Sequence, residues 1–362
     1  MRPSVSRQGE RPVFGTLDGI RGVAALAVVV FHAPAFFGPI ALPSAYLAVD
    51  LFFGLSGFVI DHAYQRRLDV GMGAVEFMRT RLVRLYPIYI LGTFIGAASS
   101  LAALTLGGGA LNAPGLLTAS ATGLFVLPSP TFDQAPQLFP LNSPAWSLFF
   151  ELVVNLVFAL VWRLLTLPRI VGVAVLAGAA LAALSIATGG MELGDTWAGL
   201  VFGLLRATTS FFVGVALHRY FVLRAGRQTP QPTSWLIPLL LLPLFAAAPQ
   251  GVWKLAFEMT FIAVVAPICI WLCAHAATGL RLGKTYAFLG AASYAVYALH
   301  YPLVELIRRV LHVLGREPEQ FAPLLGLTFL GALLLLAWVV DHTYDRQARA
   351  FLSRWTTRRE RG

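Results

Sequence analysis

The feature that most constrains this chain is a recurrence of apolar runs about 20 residues long, separated by short polar links. They fall near 17–37, 45–63, 84–104, 144–163, 169–188, 198–218, 234–248, 253–274, 286–307 and 321–341. A helix of about 20 apolar residues crosses a bilayer and satisfies its backbone N–H and C=O groups internally. The pattern predicts an all-α membrane protein, a bundle of about ten transmembrane helices enclosing a polar cavity. The run 234–248 is short and proline-flanked. Residues 115–127 are shorter still, and read as a re-entrant or interfacial piece of a long loop, 105–143.

Composition bears on what the partners are. Of 362 residues, 57% are hydrophobic and 12% charged, with a formal charge of +10; soluble domains carry about 25% charged residues. The basic residues lie between the apolar runs rather than on one folded domain, which argues against nucleic acid and for membrane topology. With the N-terminus inside, the inner segments hold Arg2, Arg7 and Arg11, then Arg66, Arg67, Arg79, Arg81 and Arg84, then Arg163 and Arg169. Arg219, Arg224, Arg227, Arg281, Lys284 and the stretch Arg346–Arg361 follow on the same side. Both termini are therefore expected in the cytoplasm. Arg308, Arg309, Arg316 and Lys254 are the exceptions, and Glu305 stands at pairing distance along a helix from Arg308 or Arg309.

The expected organisation is a short cytoplasmic segment, 1–16, a transmembrane domain, 17–345, and a basic cytoplasmic tail, 346–362, that anchors to lipid headgroups. Met1–Arg11 is polar and the first run exceeds signal-peptide length, so that run reads as a retained anchor. Cys269 and Cys273 suit core packing, not a disulfide framework or a metal site.

Charged residues inside the runs carry the functional signal. Arg21 and His32 are eleven residues apart, three helical turns, so they share a face about 16 Å apart along the axis. Asp50, Glu151, Arg206 and Glu258 also interrupt apolar runs. Each ionised group at the bilayer centre costs about 2.5 to 3.5 kcal/mol, so they are expected to face one another or water. In "FFGLSGF", Gly54, Ser56 and Gly57 suit either close helix packing or the passage of an extended ligand past backbone. Arg81 and Arg84, three apart beside the cytoplasm, suit either topology or phosphate oxygens. His300, with Ser293, Tyr294 and Tyr297 on nearby turns, reads as structural more readily than catalytic, and Trp146 as an interfacial aromatic.

Five segments, "LDGIRGVAALAVVVFH", "VDLFFGLSGFVI", "RTRLVRLYPIY", "SPAWSLFFE" and "SYAVYALHYPL", stand in an order that resembles the membrane-bound acyltransferase family 3. These bacterial integral-membrane O-acyltransferases modify surface glycans and some antibiotics. The resemblance implies that His32 is the catalytic histidine with Arg21 as its partner. It implies that Arg81 and Arg84 hold an acyl-coenzyme A donor, most plausibly acetyl-coenzyme A, and that Ser56 and Gly57 line its path. Glu151 matches a recurrent acidic position, and Asp50 or Glu151 is a candidate to orient the imidazole. The implied partners are acyl-coenzyme A, a glycan or other hydroxyl acceptor and the lipid bilayer. No permanently bound cofactor or metal is expected, and the implied location is the bacterial cytoplasmic membrane. No length remains for the periplasmic domain that many family members carry. A secondary transporter is the alternative from another class, but the related halves and paired broken helices it predicts are not detected.

Overall fold

The structure, a computed structural model, describes residues 14–231 and 234–358. Arg2, Arg7, Arg11, Arg359 and Arg361 lie outside the described residues. Among those described, nine helices are long and apolar enough to cross a membrane. The helices are α1 (Gly15–His32), α2 (Ala48–Asp69), α3 (Ala74–Thr105), α4 (Ala113–Leu124), α5 (Ala145–Val161), α6 (Leu167–Thr188), α7 (Leu200–Leu223), α8 (Val252–His275), α9 (Leu280–Val313) and α10 (Leu324–Arg354). All but the 12-residue α4 are in that set. The protein is an all-α, multi-pass membrane protein.

The weakest apolar run, 234–248, forms only a short helical segment, Leu236–Ala246, interrupted around Leu240. Eleven helical residues rise about 16 Å, little more than half a hydrocarbon core of about 30 Å. It nevertheless joins the two ends of the bundle. The Trp235 carbonyl accepts from Tyr286 near the start of α9, while the Phe245 and Ala247 carbonyls accept from Ser44 in the link beyond α1. Among the described residues the chain thus runs ten times from one end of the bundle to the other, counting this segment with the nine long helices. Its two described ends accordingly lie at the same end of the bundle, where Arg21 of α1 and Arg349 of α10 share a cavity wall. We call this the basic end and the opposite one the far end.

The short run at 115–127 forms most of the 12-residue α4. Asn112 caps it, its side chain accepting from Gly115 N–H at 2.8 Å, with proline in the first turn. It descends from the far end until the Gly123 and Leu124 carbonyls meet the Tyr89 and Tyr86 hydroxyls, near the middle of α3. The chain then turns back, and Leu141 reaches the level of Gly96.

Small residues set the closest helix contact. A Cβ on Gly57 of α2 would stand 2.0 Å from the Phe211 carbonyl of α7, and one on Gly214 of α7 would stand 1.9 Å from the Gly54 carbonyl. Only glycine lets these backbones approach so closely, as small residues do between helices in lipid.

Candidate active site

The three hydrogen bonds of α1 that span the most sequence all run to α9. Arg21 donates to Ser293 Oγ at 3.1 Å and to the Gly290 carbonyl at 3.0 Å, and is paired with Asp18 at 2.6 Å. His32 lies 3.1 Å from His300. The three-turn spacing therefore places both groups on one face, as its geometry requires. His32 points into the bundle, against a His300 that is fully buried.

A cavity of about 350 Å³ opens among α1, α2, α3, α5, α9 and α10. Arg21, Arg81, Arg84 and Arg349 supply its cations; Ser56, Ser147, Glu151 and Tyr297 supply its deeper polar groups. Their states differ. Arg81 is almost fully buried and bonded to Glu151 Oε1 at 2.6 Å; the same oxygen accepts from Ser56 at 2.7 Å. One carboxylate thus ties α2, α3 and α5 together. Arg84 is exposed to the cavity and forms no hydrogen bond or ion pair among the described residues. Arg349 is paired with Asp345 and remains partly open. Phe52, Ser147 and Tyr297 form part of its wall, where the Tyr297 and Ser147 hydroxyls meet at 2.8 Å. His32 and His300 do not line the cavity but adjoin this wall, with the rings of Tyr297 and His300 centred 5.8 Å apart.

The hydrogen bonds of the histidine pair fix where the protons sit. His300 Nδ1 lies 2.7 Å from the Tyr297 carbonyl and 3.2 Å from that of Val296. Carbonyls only accept, so Nδ1 of the neutral ring carries the proton and Nε2 holds a lone pair. That lone pair faces His32 Nδ1, which also lies 3.1 Å from the Val28 carbonyl. Set between two acceptors, His32 Nδ1 must carry its own proton. The basic lone pair of His32 is left on Nε2. This orientation by a second group is what a general base or nucleophile needs.

Three expectations need correction. Asp50 does not orient His32: it is fully buried and bonded to Arg206 of α7, at 2.5 Å from Oδ2 to Nη2 and 3.1 Å from Oδ1 to Nε. The partner of His32 is His300, and Glu151 is occupied by Arg81 and Ser56. Gly57 does not line the cavity, because it faces the α7 backbone. The basic tail also begins otherwise than expected: α10 continues unbroken through Asp345, and its continuation carries Arg349 into the cavity wall. The sequence offered a signal for Arg349 only as one arginine among many. Tyr297 was signalled only as a neighbour of His300, and Ser147 not at all.

An acyltransferase domain model matches residues 14–341 of this chain. "Protein 2 in picA locus" of Rhizobium radiobacter is 49% identical over 156 residues, 40% of this chain and 81% of that protein. The "Exopolysaccharide production protein ExoZ" of Rhizobium meliloti is 28% identical over 287 residues, 78% of this chain and 84% of that protein. No solved structure matches. With the match running from the first described turn of α1 into the last helix, the chain belongs to the membrane-bound acyltransferase family 3.

Proposed function

We propose that this acyltransferase moves an acyl group, in the first instance acetyl, from acyl-coenzyme A on the cytoplasmic side of the bacterial cytoplasmic membrane to a hydroxyl of an extracytoplasmic glycan. The observation that carries this reading is a cavity walled by four arginines, of which Arg84 lacks a protein partner among the described residues, and whose Tyr297 adjoins the oriented histidine pair. The density of arginines at the basic end supports a cytoplasmic orientation for that end. Similarity to a protein named for exopolysaccharide production supports a glycan acceptor.

In this reading the donor's phosphates meet Arg84, Arg349 and Arg21, whose planar donors suit phosphate oxygens. Arg81 and Glu151 hold the wall in place. The thin pantetheine arm lies along Ser56 toward Ser147 and Tyr297, and its thioester reaches His32 once the Tyr297–Ser147 contact yields. His32 Nε2 takes the proton of the acceptor hydroxyl as its oxygen attacks the thioester carbonyl carbon. The C–O bond forms, the C–S bond breaks, and the proton passes to the thiolate to give free coenzyme A. Phe52, Tyr297 and the partly buried His32 keep bulk water from competing.

The test uses the full chain in lipid nanodiscs, following release of free thiol from acetyl-coenzyme A with and without de-O-acylated surface oligosaccharide from the producing strain. Acceptor-dependent thiol release is expected. His32→Ala should lower it by about 10² to 10⁴-fold, the contribution of a positioned base, without changing the melting temperature. Normal turnover by that variant would overturn the mechanism. His300→Leu removes the acceptor that orients His32 and should lower kcat by about tenfold or more, while His300→Gln, whose carbonyl can accept the same proton, should recover most of it.

A further inference from the structure

The far end holds a second polar cavity, of about 190 Å³, between α3, the loop that follows α4, and α9. Ser99, Gln137, Ser143, Tyr301, Glu305 and Arg309 line it. Arg309 is an exception to the one-sided distribution of arginines, and the function argued so far does not use it. Its Nη1 donates to Ser99 Oγ at 3.0 Å, and no carboxylate pairs with it among the described residues. Glu305, one turn away, is instead bonded to Arg308 at 2.9 Å. The pocket therefore holds one guanidinium without an ion-pair partner among the described residues, beside hydroxyl and amide groups and a Glu305 carboxylate that is already engaged by Arg308.

Its position matters more than its composition. Tyr301 belongs both to this wall and to the surroundings of His32, whose ring it meets edge-on with centroids 5.7 Å apart. Tyr297 lines the cavity at the basic end and Tyr301, one turn further along α9, lines this pocket, so the two tyrosines flank the histidine pair along that helix. The wall is held in shape from outside: Leu138 N–H donates to the Asp195 carbonyl at 2.7 Å, and Gln137 pairs with Thr196. The volume equals about six waters' share of the liquid, room for one sugar ring and little more.

We propose that this pocket is the acceptor subsite and that the sugar it takes carries a carboxylate. Arg309 holds the carboxylate through paired charge-assisted bonds, Ser99 and Gln137 meet ring hydroxyls, and Tyr301 lets one hydroxyl face His32 Nε2. The proposal deepens the acyl-transfer reading and rests on it for the meaning of "acceptor". A larger cavity nearby, lined by Phe31, Tyr46 and Lys254, is the competing location. Its cation is already closed on Glu192 at 2.9 Å, so it offers no open charge.

Two probes decide the matter: de-O-acylated surface oligosaccharide of the producing strain, and the same material with its carboxyl groups reduced to alcohols. Binding is measured on the full chain in nanodiscs with no donor present, so the result stands apart from the transfer reading. The wild-type protein should bind the carboxylated probe at least tenfold more tightly than the reduced one. Arg309→Gln should erase that difference, and Lys254→Gln should leave it intact. Equal binding of the two probes by the wild type, a preference that survives Arg309→Gln, or a loss caused by Lys254→Gln would each overturn the proposal. In turnover, Arg309→Gln should raise KM for the oligosaccharide at least tenfold and leave KM for acetyl-coenzyme A unchanged. If the probes bind as expected but the wild type releases no thiol, the acyl-transfer reading fails and the binding subsite stands.

Discussion

The two faces of α2 carry different residues to different ends. On one face Asp50, Gly54, Gly57 and Asp61 turn toward α7, where Asp50 meets Arg206 and Asp61 meets His218 at 2.6 Å and Arg219 at 3.3 Å. On the other, Phe52, Ser56 and Val59 turn toward the cavity. The guanidinium of Arg206 is saturated, with its remaining donors on the carbonyls of Tyr46, Met191 and Leu193. Arg84, across the cavity from Ser56, has no such partner. A buried charge whose every donor is used is a joint between helices; one whose donors stay open awaits something that is not protein.

The largest expected effect tests the closed face. Asp50→Asn leaves Arg206 buried without its counter-charge, a loss of about 3 to 5 kcal/mol, seen as reduced yield and melting temperature in detergent. Replacing both partners with apolar residues, Asp50→Leu with Arg206→Met, should restore most of that stability. If Asp50→Asn instead folds normally and loses only turnover, the division of α2 into a structural and a functional face is broken.

Arg84→Gln tests the open side. Loss of a charged hydrogen bond of about 1.5 to 3 kcal/mol should raise KM for acyl-coenzyme A by about 10- to 100-fold. The wild-type KM should rise with salt, the variant's should rise less, and the melting temperature should not move. A drop in stability without a change in KM would place Arg84 with Arg206.

A smaller contrast comes from neighbours in sequence. Gly57→Ala forces a methyl into the Phe211 carbonyl and should cost about 1 to 3 kcal/mol of stability, with donor KM unchanged in the folded fraction. Ser56→Ala removes one hydrogen bond to Glu151, about 0.5 to 1.5 kcal/mol, and should appear mainly as a few-fold rise in donor KM. Thermal melts beside initial-rate kinetics separate the two outcomes.

Much of this molecule was legible before any coordinates. Run length sets helix length because a bilayer has a fixed thickness, so the all-α bundle and its long spans follow from counting. The half-crossing of α4 was legible from its shortness and its proline and glycine boundaries. Arg21 and His32 share a face because eleven residues nearly equal three turns, a property of one helix alone. Glu151 was singled out because a charge is costly in lipid, Ser56 as a small residue within an aromatic run, and Arg81 with Arg84 as a pair at helical spacing beside the cytoplasm.

What the sequence by itself determined, then, is whatever depends on one helix and its solvent: which segments cross, how often, and which residues sit where hydrocarbon should be. Partner choice was decided only by the tertiary structure. Asp50 and Glu151 are both acids in apolar runs, yet one is closed on Arg206 and the other stands at a cavity wall. His300 orients His32 from 268 positions away, and Arg349 arrives from what reads as a tail. Hydrogen bonds act over about 3 Å in space and are indifferent to distance along the chain, so only the packed bundle settles which valences are filled and which stay open.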